Sequence, residues 1–190
     1  MGEDKAFLDF AGQTLLERAL SVLGDVCDSV SIAGDPARFA TFTPEKSAPV
    51  VADIFPGCGP LAGIHAALAQ SSADLNLMLA VDMPFVSREL LAFLLAMAGA
   101  ADAIVTVPRI RKGYQPLCAV YRRSFCAVAE AALHAGNYKI DALFSAVPIR
   151  VIDDAALEAA GFSEQNFFNV NTPQDRQTAR ARIHGKSLPT

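Results

Sequence analysis

Two kinds of apolar pattern alternate along the chain. In TLLERALSVL, Leu16, Ala19, Leu20 and Leu23 fall on one helical face, and Thr14 with Glu17 forms a capping box at its start. SVSIAG and PVVAD read as short strands. GPLAGIHAALAQ reads as a helix, with Pro60 suited to its first turn. NLMLAV is a continuous apolar run, which predicts a strand buried on both faces. Ser87 caps a helix on which Leu90, Leu94 and Met97 repeat at helical spacing. DAIVTV, PLCAVY and VPIRVID are further strands. RSFCAVAEAALHAG is a helix stopped by Gly136, and NTPQDRQTARARI is a last helix. Such alternation predicts an α/β sandwich around a mostly parallel sheet.

Composition narrows the function classes. The 190 residues are 52% hydrophobic and 19% charged, enough for one domain with a substantial core. The net charge is −4, and the basic residues are scattered apart from one loop, which argues against nucleic acid as the main partner. Cys27, Cys58, Cys118 and Cys126, with His65, His134 and His184, show no zinc spacing. A reduced, cytoplasmic setting follows as the expectation. No apolar run is long enough to span a bilayer, and the opening MGEDKAFLDF does not read as a signal peptide.

Candidate chemistry lies where strands end, because open parallel sheets bind ligands beyond their carboxyl ends. Asp82 follows the most apolar strand, and Pro84 turns the chain immediately after it. A carboxylate there needs water, a cation or a donor, so it is either a Mg²⁺ ligand facing a polyphosphate or a cap. In FPGCGPLAG, Gly57, Gly59 and Gly63 flank a helix start; the stretch is an anion cradle or an ordinary tight turn. Asp53 is a second strand-end carboxylate or a hydrogen-bonded loop aspartate. In NVNTPQD, Thr172, Pro173 and Asp175 make a strong start to a helix with little apolar face. Asn169 and Asn171 just ahead offer amide oxygens, or simply build the turn.

Gly-x-Ser-x-Gly, the Walker-type Gly-Lys-Ser/Thr and His-Glu-x-x-His are absent from the sequence. Hydrolysis through a covalent intermediate therefore has no candidate nucleophile. Transfer between phosphates needs none, because an attacking phosphate is already ionised near neutrality and positioning does most of the work.

Taken together, MGEDKAFLDFAGQTLLERAL, the Asp53 to Gly63 segment ending GPLAG, VDMP, QPLCAVYRR and FFNVNTPQD resemble the molybdenum cofactor guanylyltransferases, also called molybdopterin-guanine dinucleotide biosynthesis protein A. The resemblance runs almost end to end. It implies a single three-layer, Rossmann-like nucleotidyltransferase domain over residues 1–190. It also implies transfer of GMP from GTP to the terminal phosphate of molybdopterin, with release of pyrophosphate. Lys5 matches a phosphate-contacting lysine, Asp53 a nucleotide-contacting aspartate, and Asp82 the aspartate that binds Mg²⁺ and nucleotide. Asn169 and Asn171 match an Asn-x-Asn near the reacting phosphates. The implied partners are GTP, molybdopterin, and other cofactor-biosynthesis proteins or molybdoenzymes.

Family members carry an apolar strand and an L-A-G-G-x-S-x-R loop ahead of their M-G-x-D-K segment, and the present sequence opens at that Met. The resemblance places this strand mid-sheet, between SVSIAG and the strand ending at Asp82. An upstream start is the expectation, with weak GTP binding for residues 1–190 alone. Ala33 stands where some relatives carry a polar residue. Arg109, Arg111 and Lys112 form the one basic loop, which either receives the pterin's phosphate or is simply solvated. Alternative functions are transfer from CTP to molybdopterin or to a sugar or alditol phosphate, and a non-catalytic relative that binds the cofactor.

Overall fold

A computed structural model of the chain describes residues 4–40 and 48–183. Met1 to Glu3 of the opening motif, and His184, lie outside these. A 3-10 turn, Lys5–Phe7, leads into a hairpin of β1 (Asp9–Phe10) and β2 (Gln13–Thr14). Then come α1 (Leu15–Gly24), β3 (Ile32–Ala33), α2 (Pro36–Phe39), β4 (Val50–Val51), α3 (Pro60–Gln70), β5 (Leu75–Leu79) and α4 (Arg88–Gly99). The second half holds β6 (Val105–Ile110), β7 (Gly113–Tyr114), β8 (Cys118–Arg122), α5 (Phe125–His134), β9 (Ile149–Ile152), α6 (Asp154–Ala159) and α7 (Pro173–Ile183).

The helix signals translate directly. The Thr14 hydroxyl accepts the Glu17 N–H at 3.1 Å, and the Glu17 carboxylate accepts the Thr14 N–H at 2.6 Å. Ser87 accepts the Leu90 N–H at the start of α4. Gly136, at φ 72°, follows the end of α5. Caps of this kind contribute about 1 kcal/mol each.

The layers follow from period-two burial. Ala119 and Tyr121 of β8, with Val105 and Val107 of β6, face α3 and α5 through Leu61, Ile64, Leu68, Phe125 and Leu133. Cys118 and Val120 face the other way, onto Leu90, Leu91 and Leu94 of α4 and Leu157 of α6. Helices thus cover both faces of the sheet, as the sandwich requires. The Tyr121 hydroxyl, buried among these side chains, donates to the Pro116 carbonyl at 2.8 Å.

The sheet is mixed, which corrects the mostly parallel expectation. β8 runs antiparallel to both neighbours, β5 and β6, whereas β9 is parallel to β6 and β3 is parallel to β4. The chain leaves β6 through the β7 hairpin, turning at Gly113 (φ 111°), and comes straight back as β8. Parallel pairing requires a crossover, usually a helix, and none intervenes here.

A second correction concerns NLMLAV. Every residue of β5 is half-buried rather than enclosed. On one side β5 pairs with β8; on the other it meets a slot instead of a strand, for β3 and β4 form a separate two-stranded sheet. An apolar run therefore marked the strand correctly, but one of its edges is unpaired among the described residues.

Candidate active site

The site is assembled on the carboxyl rim of β5. Asp82 lies three residues beyond Leu79, in the turn that Pro84 enforces. Its backbone carbonyl accepts the Val170 N–H at 2.8 Å, so the Asn169–Asn171 stretch lies alongside it. Asn171 in turn accepts a 2.6 Å hydrogen bond from Lys5 Nζ across 166 residues of sequence. Three stretches far apart in the chain thus converge on one rim.

Each has its own local support. Lys5 starts a 3-10 turn capped by Asp4, whose carboxylate accepts the Ala6 N–H at 3.0 Å and is held by the Arg38 guanidinium. Asp175 accepts the N–H groups of Asn171 at 3.0 Å and Thr172 at 2.8 Å, and its own N–H donates to the Thr172 hydroxyl. Hydrogen bonding from the Thr172 side chain foremost, then from the Thr172 and Asn171 N–H groups, holds the Asp175 carboxyl below the usual range. Sequence reading found Asp175 only as part of a helix start; the structure makes it the clamp on the asparagine loop.

A cavity of about 590 Å³ opens here, lined by Asp82, Asn169, Asn171, Lys112, Tyr114 and Gln115 among others. Burial raises the Asp82 pKa, partly offset by the nearby Lys5 ammonium. A carboxylate desolvated in this way gains by meeting a cation. Among the described residues no cluster of three acidic, histidine or cysteine side chains forms a metal cage. A single strand-rim carboxylate such as Asp82 fits Mg²⁺, which is commonly held by one or two carboxylates together with substrate phosphates and water. Asp82 is the residue that would hold it.

The remaining candidates separate. Arg109 and Arg111 are exposed on the β6–β7 hairpin and do not line the cavity, Arg109 lying over the Tyr114 ring; Lys112 does line it, bridging to Glu164 at 3.7 Å. Gln115 is buried in the cavity wall, its amide donating to Gly113. It was missed in the sequence, where the only hint was a polar residue interrupting YQPL at a strand start. Asp53 lies apart from the cavity, past β4, with Oδ1 buried and without a hydrogen-bond partner among the described residues. Burial raises its pKa. Beside it, Gly57 and Gly59 hold φ of 78° and 71°, conformations that favour glycine, ahead of an α3 start that lacks a side-chain cap. Gly63 is less constrained: a Cβ there would make ordinary contacts, 3.5 Å from Ala33 and 3.8 Å from Asp53.

A layered α/β sheet with a carboxylate, Asp82, at the carboxyl rim of a strand is the arrangement in which such sheets bind ligands, and similarity to known proteins places it among nucleotidyltransferase-type proteins. A family model described as the MobA-like NTP transferase domain matches residues 1–149. A probable molybdenum cofactor guanylyltransferase of Pelotomaculum thermopropionicum is 34% identical over 95% of this chain and 85% of its own length. A molybdenum cofactor guanylyltransferase of Desulfosudis oleivorans is 32% identical over 96% and 88%. The crystal structure of molybdopterin-guanine dinucleotide biosynthesis protein A from Archaeoglobus fulgidus superposes with a TM-score of 0.85 at 27% identity, covering 97% of this chain and 92% of that one. A 2-C-methyl-D-erythritol 4-phosphate cytidylyltransferase from Thermus thermophilus shares the fold, with a TM-score of 0.70 at 23% identity over 95% and 94%. The chain belongs to the MobA-like NTP transferase family. No helix among the described residues is long and apolar enough to cross a membrane.

Proposed function

We propose that this chain transfers GMP from GTP to the terminal phosphate of molybdopterin, using Mg²⁺, to give the guanine dinucleotide cofactor and pyrophosphate. The reading rests on Asp82 and Asn171 lining one cavity, with Lys5 hydrogen-bonded to Asn171, together with the names carried by relatives more than 30% identical. The acceptor phosphate oxygen bonds to the α-phosphorus of GTP as the bond to the β-phosphate bridging oxygen breaks, in line, and pyrophosphate carries away the electron pair. Lys5 offsets charge on the triphosphate, and Asn171 holds its ammonium at the rim. Mg²⁺ bound by Asp82 would withdraw charge from the phosphates. Asn169 and Lys112, on the cavity wall, face the acceptor. Asp53 reads guanine, since one carboxylate accepts N1–H and N2–H together, whereas cytosine offers no such pair.

The test is pyrophosphate release and dinucleotide formation from GTP, molybdopterin and Mg²⁺, with CTP in place of GTP as the control for the base. Asp82→Ala should abolish metal-dependent release. Asp53→Ala should erode the preference for GTP over CTP; an unchanged preference would remove Asp53 from base recognition.

A further inference from the structure

The turn that carries Asp82 is tied down by its carbonyls. The Val170 N–H donates to Asp82 at 2.8 Å, the Val86 N–H to Met83 at 3.3 Å, and the Asn166 side-chain amide to Phe85 at 3.3 Å. Pro84 has no N–H, so its carbonyl is its one backbone hydrogen-bonding group. That carbonyl accepts the Nε–H of Arg18, which reaches it from α1 across 66 residues of sequence. Of these donors only Arg18 is charged.

The start of α1 aims the helix at that turn. The Thr14–Glu17 capping box fixes its first residues, and the Leu15 N–H donates to the Leu8 carbonyl at 3.1 Å. Leu15 is buried in one cluster with Phe10 and Val170, against which Val81 and Phe85 pack. Arg18, three residues on, shares that helix face. Its guanidinium is half-buried, and no carboxylate pairs with it among the described residues. Taking a cation out of water for one neutral carbonyl is a poor exchange for stability alone. What the bond supplies is direction: the proline ring already fixes φ of residue 84, and Arg18 fixes where its carbonyl points.

We infer that Arg18 is a positioning residue for the Asp82 carboxylate: through Pro84 it locks the turn from its downstream side, while Val170 locks it at Asp82 itself. Arg18 does not line the cavity, so it acts through the turn and not on the phosphates. The inference rests on the reading of Asp82 as the Mg²⁺ ligand and adds a residue outside the cavity on which that ligand depends. A carboxylate that must meet a metal and a phosphate together tolerates little drift. Loss of a bond that supports a ligand typically weakens metal binding about 10–100-fold.

The test uses two replacements in the 190-residue chain. Arg18→Met keeps the stem but has no donor where Nε stood, whereas Arg18→Gln puts an amide N–H at that same place without the charge. Arg18→Met should speed hydrogen exchange about tenfold at Val170 and Val86. The Arg123 amide, bonded to Asp74 beside the far end of β5, should stay unchanged. Binding of Mn²⁺ in the presence of GTP, read by water-proton relaxation, should weaken about tenfold. Arg18→Gln should stay close to the parent in both exchange and Mn²⁺ binding. Uniform acceleration that includes Arg123, unchanged exchange at Val170, or Arg18→Gln as damaging as Arg18→Met would each overturn the assignment. So would Mn²⁺ binding that Asp82→Asn weakens and Arg18→Met does not. Mn²⁺ binding untouched by Asp82→Asn would instead sink the metal reading of Asp82, and exchange at Val170 would still decide whether Arg18 holds the turn.

Discussion

The two sides of the sheet are built from similar sequence and reach different ends. CAVY in β8 lies between β5 and β6, and its four residues are all 0–1% exposed. LNLML in β5, apolar at every position but Asn76, is half-buried throughout. The difference lies in what stands next to each strand. β8 has a hydrogen-bonded neighbour on each edge, whereas among the described residues β5 has one neighbour and a slot. Apolarity states that a segment seeks enclosure; the neighbours decide whether it is enclosed. The candidate active site straddles this seam, drawing Asp82 from the strand with the open edge and Lys112, Tyr114 and Gln115 from the hairpin on the paired side.

The sharpest way to break the comparison is to truncate one side chain on each side. Phe125→Ala, removing a fully buried ring packed at 5.0 Å on Tyr121, should cost about 3–5 kcal/mol in urea unfolding. Leu77→Ala, on the half-buried strand, should cost only about 1 kcal/mol. Equal losses would mean that the two sides are equally enclosed.

At the seam, Asp82→Asn should lower guanylyl transfer by about 10²-fold or more while leaving the protein no less stable. The sign follows from burial, which raises the folded pKa of Asp82. Below the ordinary aspartate pKa both folded and unfolded chains hold the proton, and no penalty exists. The penalty grows as pH rises through the window between the ordinary and the raised value, and is full above it. The Tm advantage of the variant should therefore open with rising pH, whereas a gap that closes would contradict the desolvated setting. Thr172→Ala should cost about 1 kcal/mol by removing the α7 cap. The smallest effect belongs to the β1–β2 hairpin, where Ala11 sits at φ 57° before Gly12 at φ 86°. Ala11→Asn should recover up to about 1 kcal/mol, read as a rise in Tm of a few degrees.

What the sequence disclosed and what it hid divide along the same physical line. Caps are local, so Thr14 with Glu17, Ser87, and Thr172 with Asp175 were all readable from spacing. Strand direction is not local. PLCAVY looks the same parallel or antiparallel, and only the hairpin around Gly113 fixes it. The β1–β2 hairpin was hidden because its turn is Ala-Gly rather than the stronger Asn-Gly signal, and α6 because six residues are too few to display a period. Asp82, which lines the cavity, was legible as a candidate because a carboxylate at the end of an apolar strand is itself anomalous. The reach of Lys5 to Asn171 was not, since no spacing rule spans such a separation, and neither was the exclusion of Arg109 and Arg111 from the cavity that Lys112 lines.

The hydrogen bond from Lys5 to Asn171 also sets an order of events in the cell. The lysine is made first and its partner 166 residues later, so at ordinary translation speeds it waits roughly 8–33 s. During that interval the growing chain can lay down helices and pair strands, yet the rim that joins Lys5 to Asn171 stays open until the last helix arrives.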